Sequence, residues 1–431
     1  MTFSRIAGIG LLAIAFASPA SAGTLEGPLE IIVSRDLQSL KVYDGDVVVA
    51  SSKVSSGKPG HTTPTGIFSI LEKKRMHHSN LYDDAEMPFM QRLTWSGIAL
   101  HASNHVPSYP ASHGCVRLPS DFARTLYQLT RRGGHVLISG GEVAPRRVVH
   151  RVLFRPGVTE PDEPLLSDAK LRLTSHGDMT GSIEVAMNEP KPETPSPVVM
   201  RTDSDPLRIL ITRRGDREKL MDLQETLSGL GYDVGIPDGF AGPLTYTALR
   251  AFQAAEGLKT DGMLTQDLAK AIYAKAGKGS PPNGQIMVRK NFTPLFEGPV
   301  EILNPEIALG AQFLLARGVD TDQGLVDWYG VSLANELPAS TMKRLGITTI
   351  EDSFDAEAIS RTLDRLVIPQ DTRARIAQMM TEGTSISISD MGLGPETGAG
   401  TDFITVTRES AGSGSRVSNR HKVESSVVTI K

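Results

Sequence analysis

The chain has 431 residues, 22% of them charged, and a formal net charge of −4 at pH 7. This length predicts two or three domains. The mild negative charge argues against binding to nucleic acids, which needs a clustered excess of basic residues. We therefore expect no nucleic-acid partner.

Residues 1–22 have the features of a secretory signal peptide. Arg5 gives a positive start, residues 6–16 are apolar, and Ala20-Ser21-Ala22 fits a cleavage site. The apolar run is too short to span a bilayer as a permanent anchor, and no other apolar run is long enough for a membrane span. We expect a soluble protein without a membrane span, secreted to the periplasm.

Residues 23–140 are expected to form a β-rich domain. Short runs with alternating apolar residues are separated by turn residues, a pattern typical of strands. The predicted strands are residues 29–34, 39–43, 47–50, 67–70 and 135–138. Residues 121–129 have helical spacing of apolar residues, and Ser120 is the expected N-cap.

Residues 77–90 lack a clear period, which inside a compact domain often indicates a functional loop. The candidates for contact with a substrate are Tyr82, Met87 and Phe89. The alternative is that the apolar side chains belong to the core and that the histidines of this segment are solvated.

Cys115 is the only cysteine of the chain and lies in the sequence Ser112-His113-Gly114-Cys115. Secreted proteins usually pair cysteines in disulfides, and a single cysteine has no partner in its own chain. A thiol becomes a nucleophile when an imidazole and positive charges favour the thiolate. Gly114 would allow close approach of a substrate carbonyl, and consecutive N–H groups could form an oxyanion hole.

This stretch resembles the signature of the L,D-transpeptidases of bacterial cell walls, in which a histidine and a loop precede Ser-His-Gly-Cys, a small apolar residue, and Asn or Arg. The matching residues are His101, Ser112, His113, Gly114, Cys115, Val116 and Arg117. The loop of 14 positions is short for the family, and Ala102 stands where many members have Gly or Ser.

The resemblance implies a β-sandwich with Cys115 as the nucleophile and His101 as the proton donor and acceptor. A backbone carbonyl would be the third member of the triad. Supporting or oxyanion roles fall to Ser112, His113, Gly114 and Arg117, and Tyr109 would line the approach. The family needs no metal or organic cofactor, and carbapenems acylate its cysteine. We expect the surroundings of Cys115 to lower its pKa below the usual ~8.5.

Two other interpretations of this stretch remain open. A single cysteine is often an apolar filler of a core. His101 and His105 could bind zinc if they shared one face of a helix, although Pro107 and Pro110 disfavour a helix here.

Residues 141–205 are proline-rich and are predicted to be a linker, with a stiff polar spacer at 188–197. Residues 206–277 resemble the small helical peptidoglycan-binding module, through helically spaced leucines and an Asp-Gly pair that occurs at 238–239 and again at 261–262. Pro243 would begin one of three helices. The binding function rests on the resemblance, because the residues alone account only for a helical core.

Residues 284–408 are predicted to be an α+β region of unknown role. Asp355 and Pro369 would open helices, residues 385–389 alternate as a half-buried strand, and residues 403–406 are expected to pair with it. The glycine-rich stretch at 392–400 lacks the sequence of a phosphate-binding loop and is interpreted as a turn. Residues 409–431 are predicted to be disordered.

The sequence therefore predicts a multidomain L,D-transpeptidase that forms 3→3 cross-links in peptidoglycan or attaches an envelope protein to the wall. Its partners would be donor and acceptor stem peptides, with an outer-membrane protein as an alternative acceptor. Two other functions are a hydrolase of the same fold and a non-catalytic peptidoglycan-binding protein. The complete motif favours an enzyme over the second of these.

Overall fold

The computed structural model describes residues 27–79, 85–157, 205–398 and 400–408. The predicted signal peptide, most of the predicted linker, Tyr82 and the predicted disordered tail lie outside these residues. No helix in the described part of the chain is both long and apolar enough to cross a bilayer.

The described residues contain eighteen strands and seven helices. The strands are β1 (Glu30–Ser34), β2 (Ser39–Asp44), β3 (Val47–Lys53), β4 (Thr65–Ser69), β5 (Glu72–Lys74), β6 (Met90–Arg92), β7 (Ala99–Ala102), β8 (Val116–Leu118), β9 (His135–Ser139), β10 (Arg146–Val148), β11 (Leu207–Arg213), β12 (Gly284–Lys290), β13 (Thr293–Ile302), β14 (Ala311–Asp320), β15 (Leu325–Leu333), β16 (Leu366–Val367), β17 (Ser385–Ser389) and β18 (Thr405–Arg408). The helices are α1 (Ser120–Leu129), α2 (Asp216–Gly229), α3 (Pro243–Ala255), α4 (Gln266–Lys275), α5 (Ala339–Leu345), α6 (Ala358–Asp364) and α7 (Gln370–Met379).

The strands form three sheets. The central sheet has the order β18-β4-β9-β1-β2-β3, the small sheet has the order β5-β6-β7-β8, and the large sheet has the order β10-β15-β14-β17-β11-β12-β13-β16. Strands β1 and β9 run parallel, as do β7 and β8, and β11 and β17. The predicted strands of the N-terminal region are all present, with ends that differ by a few residues.

Both faces of the central sheet are covered, because neighbouring residues of a strand point to opposite faces. Ile31 and Val33 of β1 pack in a first core, with Leu100 of the small sheet and Leu126 of α1. Ile32, between them, packs on the other face in a core with residues of the large sheet, among them Phe313 and Val331. The central sheet is therefore a middle layer.

Helix α1 follows β8 and covers one edge of the first core. It begins at Ser120 after an N-cap at Pro119, so the predicted capping role of Ser120 is wrong. Lys73 donates hydrogen bonds from Nζ to the carbonyl oxygens of Tyr127, at 2.7 Å, and Thr130, at 2.5 Å. These bonds satisfy carbonyls that a helix end leaves without an internal partner.

The outer face of the large sheet is covered by helices. Leu363 of α6 and Ile376 of α7 pack in one core with Ile209 and Leu314 of the sheet. The two helices begin after Glu357 and Pro369, close to the predicted starts. The C-terminal region thus adds a sheet layer and a helix layer to the N-terminal region.

Helices α2, α3 and α4 form a module with its own core, which includes Leu223, Ala248, Phe252 and Ile272. Pro243 is the first residue of α3, as predicted. The repeated Asp-Gly pairs make equivalent contacts with two glutamines of the helices. The Oε1 atoms of Gln224 and Gln253 each accept a 2.8 Å hydrogen bond, from the N–H of Gly239 and of Gly262 respectively.

The module lies between two paired strands of the large sheet. Strand β11 precedes it and β12 follows it, and these strands are antiparallel neighbours with Arg213 opposite Gly284. Strand β10, which lies within the first part of the predicted linker, and strand β11, which follows the linker, also belong to this one sheet. The sequence did not indicate that residues 207–213 are a sheet strand, and the predicted domain boundaries stay predictions.

Two expectations for the C-terminal region are wrong. Strand β17 is buried along its whole length and pairs with β11 and β14, in the interior of the large sheet. Strand β18 does not pair with it but joins the edge of the central sheet beside β4. The predicted fold class is confirmed: β-rich N-terminal sheets, a three-helix module and an α+β C-terminal region.

Candidate active site

The side chains of His101 and Cys115 lie on one face of the small sheet. Strands β7 and β8 are parallel, with Leu100 opposite Val116 and His101 opposite Arg117. Continuing this register by one residue places Cys115 opposite Ala99. Because alternate residues share a face, His101 and Cys115 are diagonal neighbours on that face.

The His101 ring is oriented by the main chain. Its Nδ1 donates a 2.8 Å hydrogen bond to the carbonyl oxygen of Ala102. A carbonyl oxygen only accepts, so Nδ1 carries the proton and Nε2 is the free base of the neutral ring. Burial lowers the His101 pKa to about 4; the bond to Ala102 opposes this shift, and the charge of Arg117 adds to it. A backbone carbonyl thus occupies the third position that the resemblance implied.

The Cys115 thiol is half-buried and donates a 3.2 Å hydrogen bond from Sγ to the carbonyl oxygen of Gly97. It packs against a cluster formed by Met87, Met90 and Ala99. Burial raises the Cys115 pKa to about 11, and a backbone hydrogen bond at Ala99 and the charges of Arg92 and Arg117 offset only part of this.

The expectation of a lowered thiol pKa is therefore wrong. The positive charges near Cys115 are present, but the loss of hydration at this site favours the uncharged thiol more strongly. With His101 also uncharged, the site at neutral pH holds a thiol and an imidazole rather than an ion pair.

The loop before Cys115 is fixed by short-range hydrogen bonds. The Ser112 hydroxyl donates to the carbonyl oxygen of Cys115 and accepts a 3.1 Å bond from the N–H of Gly114. The Thr63 hydroxyl donates a 2.7 Å bond to the carbonyl oxygen of Gly114. Gly114 has a φ of +119°, and a Cβ at this position would lie 3.0 Å from Ile98, so the turn requires glycine.

The two charged or ionisable residues that remain in the motif, His113 and Arg117, occupy different environments. His113 is exposed, and its ring lies edge-on to that of His61 with 4.8 Å between the centroids. Arg117 exchanges two 3.0 Å backbone hydrogen bonds with Ser55. Its half-buried guanidinium is close enough to affect the pKa of both His101 and Cys115.

The predicted substrate-contacting residues do not form one group. Met87 lies beside Cys115, whereas Phe89 packs on the first core with its ring 5.8 Å from that of Tyr127. Tyr109 is 59% exposed, and its carbonyl oxygen accepts a 2.8 Å bond from Ser55. For Phe89 the structure favours the core interpretation.

The zinc interpretation required a helix that is not present at these residues. His101 lies on strand β7, and His105 is exposed in the loop that follows. A cavity of about 520 Å³ opens along this loop and includes Lys53, Asn104, His105 and Ser120 in its lining. It lies just beyond the end of β7.

Two residues beside Cys115 were not predicted from the sequence. Gly97 holds the thiol proton, and Arg92 lies opposite Ala99 in the small sheet. Arg92 donates a 3.0 Å hydrogen bond from Nε to Glu72. Gly97 could have been suspected as the glycine of a turn between two strands, but no sequence pattern singles out Arg92.

Two family models match the chain. The L,D-transpeptidase catalytic domain (YkuD) matches residues 28–138, which contain the small sheet, most of the central sheet and the site described above. A peptidoglycan-binding domain (PG_binding_1) matches residues 216–272, the helical module. Both resemblances predicted from the sequence are confirmed.

Solved structures of L,D-transpeptidases also match part of the chain. One from Mycobacterium smegmatis shares 24% identity over 26% of this chain and 58% of its own, with a TM-score of 0.25. Those from Xylanimonas cellulosilytica and Stackebrandtia nassauensis share 27% and 25% identity, over 26% and 27% of this chain and 60% and 58% of theirs, with TM-scores of 0.24 and 0.25. This chain thus spans less than two thirds of each of these structures.

Proposed function

We propose that this protein is a periplasmic L,D-transpeptidase that remodels peptidoglycan through a thioester on Cys115. The observation that carries the proposal is the register of β7 and β8, which puts His101 and Cys115 on one face of the small sheet, with Nε2 of His101 left as the base by the bond from Nδ1 to Ala102. The match to the catalytic family supports the same chemistry.

In the first half-reaction His101 takes the thiol proton at Nε2 as the sulfur attacks. Sγ of Cys115 forms a bond to the carbonyl carbon of the third residue of a donor tetrapeptide stem. The bond from that carbon to the nitrogen of the terminal D-alanine breaks, and the imidazolium returns the proton to the leaving amine. Because the thiol is protonated at rest, proton transfer accompanies attack instead of preceding it.

The negative oxygen formed during attack would be stabilised by backbone N–H groups of the Cys115 loop. The candidates for this role are the N–H groups of His113, Gly114 and Cys115, of which that of Gly114 also donates to Ser112. Tyr109 and the cavity lined by Lys53 would take parts of the stem peptides, with the Lys53 ammonium suited to a stem carboxylate.

In the second half-reaction an amine of another stem attacks the thioester, which gives a 3→3 cross-link and restores the thiol. An amine of an envelope protein, such as an outer-membrane protein, is an alternative acceptor, and water as acceptor would make the protein a hydrolase. The peptidoglycan-binding domain supports a wall polymer as the substrate.

Intact-protein mass spectrometry after incubation with a soluble donor tetrapeptide tests the proposal. We expect an adduct equal to the stem without its terminal D-alanine, together with release of D-alanine, and neither with Cys115→Ala. An adduct that persists in Cys115→Ala, or no adduct and no D-alanine release from the native chain, would refute the role of this cysteine.

A further inference from the structure

The segment between β17 and β18 crosses from the large sheet to the active site and is anchored at both ends. At its start, buried Asp390 accepts hydrogen bonds from Nε of Arg213 at 2.7 Å and from the N–H of Leu309 at 2.9 Å. At its end, buried Asp402 accepts bonds from Oγ of Ser69 at 2.9 Å and Nε of Arg208 at 3.0 Å. The described residues of this segment are therefore held at both ends.

Strand β18 then forms the edge of the central sheet beside β4, where a glycine of β4 leaves room for it. Thr405 pairs with Ile67, and Val406 with Gly66. A Cβ on Gly66 would lie 2.1 Å from the carbonyl oxygen of Thr405, so any larger residue at this position would block the strand. Ile404, next to β18, is buried in the same core as Leu100. The C-terminal segment is thus part of the catalytic unit.

Within this segment Glu396 contacts the turn between β6 and β7. One oxygen, Oε2, accepts hydrogen bonds from the N–H of Trp95 at 2.8 Å and of Ser96 at 3.4 Å. The next residue, Thr397, accepts a 2.9 Å bond from the N–H of Ile404, which ties this part of the segment to the buried end. Glu396 is the side chain that joins the C-terminal segment to this turn.

The same turn holds the nucleophile. Within the turn, the hydroxyl of Thr94 accepts 3.0 Å bonds from the N–H of Ile98 and from Oγ of Ser96. Gly97, which follows the two residues held by Glu396, presents the carbonyl oxygen that accepts the Cys115 thiol proton. Glu396 and Cys115 therefore bind peptide groups of the same turn.

We propose that Glu396 is a positioning residue, which through the Trp95–Gly97 turn sets the orientation and the proton affinity of the Cys115 thiol. The C-terminal segment would then be required for efficient acyl transfer although it touches neither sulfur nor substrate. The consequence for catalysis rests on the proposed function, because that function makes Cys115 the nucleophile.

The expected effect on the thiol has a definite sign. The Gly97 carbonyl stabilises the protonated form, and a turn released from Glu396 would hold this carbonyl less well. The apparent pKa of Cys115 should then fall, since the charges of Arg92 and Arg117 remain and His101 is uncharged at neutral pH. Reactivity with a small electrophile should rise while reaction with a bound stem peptide, which needs correct alignment, should fall.

The test compares Glu396→Ala, Glu396→Gln and the native full-length chain. With Glu396→Ala we expect alkylation by iodoacetamide at pH 8 to be roughly threefold to tenfold faster and thioester formation with a tetrapeptide to be about tenfold slower or more. Glu396→Gln retains an oxygen acceptor and should behave like the native chain. Asp322→Ala, on an exposed turn between β14 and β15, is the matched control and should change neither rate.

Unchanged alkylation in Glu396→Ala would overturn the proposal, as would equal effects of the Ala and Gln variants. Alkylation needs no substrate, so this result stands even if the native chain forms no thioester. Absence of the thioester in the native chain would count against the proposed function alone.

Discussion

At the scale of single residues, the site differs from an activated thiolate. Burial favours the uncharged forms of both reacting groups, with a pKa of about 11 for Cys115 and about 4 for His101. His101 is thus unprotonated throughout the physiological range, and in the proposed mechanism the thiol proton leaves when His101 takes it during attack.

The pH dependence of thiol alkylation follows from these values. Only the thiolate reacts, and its fraction rises with pH until the pH passes the Cys115 pKa. Between pH 6 and 9 we therefore expect the iodoacetamide rate to increase about tenfold per pH unit. The rate is measured by intact-protein mass spectrometry, with Cys115→Ala as the blank. A rate that is constant between pH 5 and 8 would instead indicate a thiolate–imidazolium pair.

His101 should be far more important than the neighbouring histidine of the loop. His101→Ala removes the base and should reduce thioester formation by roughly 10²–10⁴-fold with little change in melting temperature. His105→Ala is the comparison: His105 is exposed and lines the proposed substrate cavity, so its loss leaves the base in place and should cost much less. Equal losses from both substitutions, with both variants folded, would contradict the assignment of the base.

At the scale of elements, the helical module is an insertion in a sheet. Arg213 and Gly284 are paired, and the N–H of Arg214 donates a 2.8 Å bond to the carbonyl of Asn283, so the ends of the insertion are adjacent. The module can therefore increase the affinity of the protein for the wall, and so the concentration of the catalytic region near its substrate, without being part of the catalytic layers.

Replacing residues 215–282 with a two-residue Asn-Gly turn should preserve the large sheet, since such turns join antiparallel strands. We expect acylation of Cys115 by a carbapenem to be nearly unchanged, and sedimentation with insoluble sacculi to be lost. Loss of acylation in a folded variant would show that the module helps to build the active site.

A deletion of residues 206–277 is the informative comparison. It removes β11, whose Ile209 and Ile211 are buried in the core of the large sheet. We expect this variant to misfold, as judged by its melting transition. A stable variant would contradict the position of β11 in the sheet.

The N-terminal strands and the nucleophile motif could be predicted because their signals are local. Turn residues separate alternating apolar runs, and the six residues from Ser112 to Arg117 are contiguous. The places of β11 and β18 could not be predicted, because each pairs with strands far away in the chain and neither has a local pattern that names its partner. Glu396 was missed for the same reason: it lies 301 residues from Trp95.

The thiol pKa was predicted with the wrong sign because charge is visible in a sequence and burial is not. Arg117 follows Cys115 by two positions, which suggested stabilisation of the thiolate. The packing of Met87, Met90 and Ala99 around the sulfur depends on the pairing of three strands. Phe89 was a candidate for substrate contact, with the core as the alternative, because an irregular segment does not reveal which side chains face the core.

At the scale of the whole molecule, the catalytic layers and the C-terminal region share a core. Phe313 of β14 is fully buried, and its ring lies 4.6 Å from that of His135 on β9, with 57° between the ring planes. An ion pair between Arg317 and Asp44 also joins the large and central sheets. These contacts predict that the two regions unfold together.

Phe313→Ala tests this coupling at a distance from the thiol. A cavity in this core should reduce the free energy of unfolding by about 3–5 kcal/mol, and Cys115 should become alkylated with the same denaturant midpoint as the loss of secondary structure. Phe354→Ala, at a phenylalanine that is 55% exposed, is the control and should change little. If Cys115 stayed protected from alkylation at denaturant concentrations that unfold the large sheet, this result would contradict a shared core.

Muropeptide analysis of tetrapeptide-rich sacculi after incubation with the purified full-length chain tests the central claim most directly. The account predicts new 3→3 cross-linked dimers with the native chain and none with Cys115→Ala. Tripeptide monomers without dimers would identify a hydrolase of the same fold, and an unchanged muropeptide profile despite binding to the sacculi would identify a wall-binding protein without this activity; either result would contradict the proposed transpeptidase.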